Sequence, residues 1–312
     1  MSKPQVGVSA CLLGHAVRFN GDHKRQPWIT DILGKHAKLV PFCPEVSLGL
    51  GVPRPTLRLN QGRLVQPSTK LDLSEKATSC FIKLAQTAAG LDGFILKKDS
   101  PSCGLERVKD YSAKGIPNKT GQGFFAKAMC ESYPLLPMIE EGRLMDSEQR
   151  ENFLNQIFAY SRLRALTPEA PLRIKLSAIQ DLHKKHKLIL MEHSPRHYSR
   201  LGRIVANPEG LSVREVLEKY SVLFMEALAV MPTAKTRTNV LEHAMGYLRG
   251  KADETDRKQL RESIKEYLKG ELPFIAPLTL ANHLIQKFEI AYLQEQLFFA
   301  PYPRALGAHI RL

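Results

Sequence analysis

The 312-residue sequence predicts an α/β fold in which a small N-terminal domain on a mainly parallel sheet precedes an all-α C-terminal domain. Two observations predict it. Up to about residue 145, short apolar runs alternate with stretches of helical periodicity, the pattern of βα units. From Ser147 onward strand-like runs disappear, and helical runs follow one another with Pro or Gly in most gaps. The domains are therefore expected at residues 1–145 and 146–312.

The expected strands lie at residues 6–10, 37–42 and 93–96. Between the second and third, Leu73, Ala77, Cys80, Phe81 and Leu84 recur at helical spacing and predict a helix over 71–89, with Gly90 as its stop. A shorter helix is expected over 123–132. Residues 134–143 read as a connection. In the second half the expected helices are 147–165, 174–193, 213–231, 236–249, 253–269 and 277–297.

Composition narrows the function classes. Forty-five Lys and Arg against 31 Asp and Glu give a formal net charge of +14, which suits a polyanionic partner such as RNA or DNA. A soluble enzyme with a basic surface is the other reading. The N-terminus turns polar almost at once, and no run approaches the roughly 20 apolar residues of a membrane span, so a cytoplasmic protein is expected. Five cysteines in a reducing compartment are ligands, nucleophiles or buried apolar groups rather than disulfides.

Three of the five share a position. Cys11, Cys43 and Cys103 each come at or just after the end of an expected strand, and ligands of open α/β sheets collect outside the carboxyl ends of the strands. Converging thiolates bind soft metals or clusters. Structural zinc takes four protein ligands, whereas an iron–sulfur cube held by three leaves one iron open, so the count favours a catalytic cluster. Unrelated buried cysteines are the alternative; Cys80 and Cys130, on apolar helix faces, fit that alternative better. Glu45 follows Cys43 closely and could activate water, and Ser100 and Ser102 could donate to a substrate heteroatom, or simply serve the turn at Pro101.

The segments SACLLG (9–14), RFNGD (18–22), PFCPEVSLGLGVPRP (41–55) and KKDSPSCG (97–104) together resemble the thiouracil desulfurase-like family. KLILMEHSPRHYSRLGRIVA (187–206), RTNVLEHAMGYL (237–248), APLTLANH (276–283) and PYPRALG (301–307) resemble the YbgA-like helical domain. This order of domains is similar to the fused RNA desulfidases associated with removing sulfur from 4-thiouridine in tRNA. The resemblance implies a [4Fe-4S] cluster on Cys11, Cys43 and Cys103, Glu45 as acid/base carboxylate, and a proton-donating serine, Ser100 ahead of Ser102. It implies hydrolytic C–S cleavage that releases sulfide without an electron donor. Asn20 departs from the aspartate usual in the Arg-aromatic-Asp-Gly stretch, which puts a charge-dependent role there in doubt.

Lys and Arg are unevenly dense between 160 and 205. Arg173, Lys175, Lys184, Lys185, Lys187, Arg196, Arg200 and Arg203 are the expected RNA contacts, with Tyr160, His193, His197 and Tyr198 as stacking partners. A solvated helical face is the alternative. His183, His186, His193 and His197 are not expected to bind metal, since Pro195 breaks their spacing and no carboxylates accompany them. Gly121–Ala126 mimics a dinucleotide fingerprint without a preceding strand and is expected only to start a helix. Asn239 and His243, one turn apart, stay undecided. Two other classes stay open: an RNA-binding protein with a structural metal site, and a desulfurase of free thiouracil.

Overall fold

The computed structural model describes residues 3–166, 175–206, 208 and 210–307. The chain forms two compact units, one running up to Ser161 and including the segment from Pro303, the other spanning Arg162–Tyr302. No helix among the described residues is long and apolar enough to cross a membrane.

The first unit opens with β1 (Gln5–Ser9), buried over its last four residues, and a helical stretch that ends in α1 (Gly34–His36). Next come β2 (Lys38–Phe42) and a single helical turn, α2 (Pro44–Ser47). Three short strands follow, β3 (Arg58–Asn60), β4 (Arg63–Gln66) and β5 (Leu71–Asp72), and then α3 (Ser74–Gln86). The fully buried β6 (Gly93–Leu96) precedes β7 (Val108–Tyr111), β8 (Pro117–Gly121), α4 (Phe124–Ser132) and β9 (Met138–Glu140). α5 (Ser147–Arg164) follows.

These strands make two sheets. One is parallel, in the order β2-β1-β6-β9, with Val6 opposite Leu39 on one side and Gly93 on the other. The chain leaves β1 for β2 on one flank and later returns to β6 on the other, so the sheet reverses direction at β1, the place where open α/β sheets bind ligands. Phe42, Phe81, Phe94 and Phe125 interlock beneath it, with ring centroids 5.1 to 6.2 Å apart. Tyr160, expected from sequence as an RNA-stacking residue, is half-buried and packs against this core.

The second sheet, β5-β4-β3-β7-β8, is a finding the sequence did not lead us to expect. Its strands are two to five residues long, and β8 is exposed at four of its five positions, so neither run length nor alternation marks it. Residues 134–143, expected as a connection, instead contain β9, whose Ile139 pairs with Ile95.

In the second unit, α6 (Leu176–His193) is central and packs with α7 (Pro195–Ala206), α8 (Val213–Ala229) and α9 (Ala234–Gly246). α10 (Glu254–Lys269), α11 (Ile275–Lys287) and α12 (Ala291–Gln294) complete it, and α13 (Arg304–Gly307) closes the chain in the first unit. Ser212 with Glu215, and Thr233 with Thr236, form reciprocal caps that fix where α8 and α9 begin. The helix expected over 277–297 ends early because Glu289 adopts a left-handed conformation (φ 48°). α7 was not expected, since Pro195 read as a break; proline is tolerated in a first helical turn, where its missing N–H costs nothing.

Candidate active site

Cys11 lies in the short helical turn after β1, Cys43 directly after β2, and Cys103 in the loop after β6. Because these strands are adjacent and parallel, their following loops meet at one edge, and all three cysteines line one cavity of about 420 Å³. Arg18, Phe19, Glu45, Arg54, Lys97 and Ser100 line it too. Its size falls within the roughly 300–1,000 Å³ of small-molecule sites.

Cys103 is buried, and Cys11 and Cys43 are half-buried. Burial pushes Cys11 up to about 11 against the pull of Lys97, with Cys43 raising it further, and Cys103 feels the charge of both Cys11 and Cys43. Burial raises Cys43 against the backbone N–H groups of Val46 and Glu45, and raises Cys103 furthest, against a hydrogen bond from the Ser9 hydroxyl. Thiols in such surroundings ionise readily only when a metal replaces the proton. Among the described residues, no three His, Cys, Asp or Glu side chains are placed to share one metal ion. A set of three sulfur donors fits a cluster with three protein corners better than a structural zinc ion, which takes four ligands.

Glu45 is held from both sides. The hydroxyl of Ser102, which has no exposed surface, donates to Glu45 Oε1 at 3.2 Å. Arg54 reaches Glu45 Oε2 from Nε (2.8 Å) and from the terminal guanidinium nitrogen (2.7 Å), while donating to the carbonyls of Gly51 and Val17. Arg54 N–H also donates to Phe19 O (2.8 Å), so one arginine ties the carboxylate to the loop that lines the cavity opposite it. Ser100 is arranged differently from Ser102. Its hydroxyl oxygen accepts from the N–H of Ser102 (3.2 Å) and of Cys103 (3.0 Å), leaving its proton available to a group in the cavity. Asn20 sits in an exposed turn, accepting from Asp22 N–H at 3.4 Å, and does not line the cavity.

Residues of β9 that sequence reasoning passed over organise the same loop. Glu140 accepts from the N–H of Leu105 (2.8 Å), and Glu141 accepts from Lys98 N–H (2.6 Å) and pairs with the Lys97 ammonium. The signal was present: an apolar Met138–Ile139 ending in two carboxylates is another strand end. Nothing in the sequence singled out Arg54. Gly123, at the start of α4, packs so closely that a Cβ there would lie 2.5 Å from Ser102 O.

In the helical unit, the expected RNA contacts divide. Arg173 lies outside the described residues, and Lys175 is exposed. Lys184 pairs with Glu295 and Lys185 with Asp181, each at 2.7 Å. Arg196, Arg200 and Arg203 recur on the exposed face of α7 with no ion pair among the described residues. Lys187 lies 5.9 Å from the centre of the Tyr292 ring. His193 is buried against Val230 O (2.7 Å) and cannot stack on a base; Tyr198 already stacks on His183, with centroids 5.6 Å apart. His197 bonds Ser194 at 2.8 Å.

Two segments of the chain match two different families. Residues 6–141 match the model of a family described as 2-thiouracil desulfurase, and residues 187–303 match one described as a protein of unknown function, DUF1722. The uncharacterized protein YbgA of Escherichia coli (strain K12) is 31% identical over 158 residues, which are 50% of this chain and 92% of that protein. A solved structure of a [4Fe-4S]-dependent thiouracil desulfidase, TudS, is 31% identical, covers 46% of this chain and 93% of that chain, and superposes with a TM-score of 0.39.

Proposed function

Because the chain belongs to the YbgA-like family and carries a 2-thiouracil desulfurase domain ahead of that region, we propose that it is a [4Fe-4S]-dependent desulfidase. Its substrate is a thiolated uracil, foremost 4-thiouridine in tRNA. On this reading residues 1–145 carry the chemistry and residues 146–312 the RNA contact. The observation that carries it is the shared cavity of Cys11, Cys43, Cys103 and Glu45.

Cys11, Cys43 and Cys103 would hold the cluster. When bound, it would supply a soft Lewis acid, suited to a thiocarbonyl sulfur over a carbonyl oxygen and able to polarise the adjacent carbon. Glu45 accepts a proton from water as the water oxygen adds to that carbon. Arg54 and Ser102 fix its carboxylate for this, one on each oxygen. The Ser100 hydroxyl donates toward the ring nitrogen. The protons taken up then accompany sulfur out, so thiocarbonyl plus water yields carbonyl plus hydrogen sulfide with no electrons exchanged. A requirement for stoichiometric reductant would overturn this balance.

The test is anaerobic loading with iron and sulfide, incubation with bulk tRNA, and nucleoside analysis. The loaded protein is expected to deplete 4-thiouridine and release sulfide, and Cys43→Ala to do neither. Glu45→Gln should keep its iron and lose about 10²- to 10⁴-fold in turnover. Turnover of free thiouracil with tRNA untouched would reassign the substrate; a colourless protein with one zinc per chain would favour a structural metal.

A further inference from the structure

Lys187 projects from α6 into a group of aromatic rings. Its ammonium faces Tyr292 at 5.9 Å and acts electrostatically on His183, His243 and Tyr247. It makes no ion pair among the described residues, in contrast to Lys184 and Lys185 on the same helix. Tyr247 and Tyr292 stack with centroids 4.9 Å apart and planes 20° from parallel, and His243 meets Tyr247 edge-on at 5.7 Å. Tyr247 nonetheless remains 37% exposed. Asn239 and His243, both exposed, precede it at successive turns on the same face of α9. The result is a prearranged aromatic step, bordered by an amide and by a cation that lacks a counter-charge.

We propose that Tyr247, stacked on Tyr292 and flanked by Lys187, His243 and Asn239, is a platform on which the helical unit holds an unpaired nucleobase of RNA. The inference rests on the RNA reading above and locates the contact on it. Every base offers a π-face, so an exposed tyrosine already fixed by a second ring binds one with little ordering of its own. The phosphate that comes with the base supplies the negative charge Lys187 lacks. Asn239 adds donors and an acceptor for a base edge.

Binding of the full-length protein to bulk tRNA, followed by fluorescence anisotropy over a salt series, tests this. Tyr247→Ala should weaken binding about 10-fold, and Tyr247→Phe, which keeps the ring, should restore most of it. Lys187→Gln should lower the slope of log affinity against log salt by about 0.7, the share of one phosphate contact on a single strand. Because Tyr247 is exposed and Lys187 makes no ion pair among the described residues, thermal melts of the variants should match the unaltered protein. If that protein binds tRNA and Tyr247→Ala binds it equally, the platform is overturned while the RNA reading stands, and the exposed ring belongs to a protein contact. If the unaltered protein has no affinity for tRNA, both fall together.

Discussion

Arg54 shows how much of a site can hang on one side chain. Its guanidinium spans Glu45 and two carbonyls, and its side chain is only 5% exposed, so removing it leaves a largely buried carboxylate oxygen without a donor. Arg54→Ala is expected to destabilise the first unit by about 3 kcal/mol in urea melts. Arg54→Lys should recover little of this, since an ammonium cannot bridge the same three acceptors; equal midpoints for both variants and the unaltered protein would mean that Glu45 is held by Ser102 alone. The cysteines and Glu45 were legible in the sequence because strand ends are local signals. Arg54, Ser9 and Lys97 were not, because each matters only through partners brought close by tertiary folding, Ser9 and Lys97 being 88 residues apart in sequence.

Among elements, α4 does more than fill the core. The residue that caps it, Gly123, lies flat against the backbone of the Cys103 loop, where a Cβ would stand 2.9 Å from Cys103 N. Gly123→Ala must therefore push the loop outward, at about 1–3 kcal/mol, and move one thiol away from the other two. An anaerobic iron titration should find fewer irons per chain; full loading would show that the loop yields without losing its ligand. Sequence reading identified the start of this helix but not the contact it makes. The parallel strands around β1 were readable because strands buried on both faces leave continuous apolar runs, as Phe94, Ile95 and Leu96 do. The second sheet stayed hidden because its short strands bury no more than one apolar residue each, Leu59 in β3 and Leu64 in β4, and a lone apolar residue carries no period.

Across the whole molecule, three histidines of α6, His183, His186 and His193, are set into the packing of the helical unit. Burial lowers His186 to about 3, His183 to about 4 and His193 to about 4. Unfolded, each would bind a proton near pH 6.5, so the neutral folded forms add stability that is complete above that pH and is lost as pH falls toward 4 and 3. The helical signal in urea melts should therefore weaken from pH 6.5 downward, and His186→Phe should flatten that dependence; a pH-independent midpoint from 6.5 to 4 would contradict the burial. A different consequence follows from β9. A ribosome delivers Cys11, Cys43 and Cys103 well before Glu140 and Glu141, the carboxylates that tie down the loops on either side of Cys103. A nascent chain that stops short of Glu141 has every thiol but lacks the carboxylates that fix the Cys103 loop, so on the proposed reading cluster loading follows synthesis of β9.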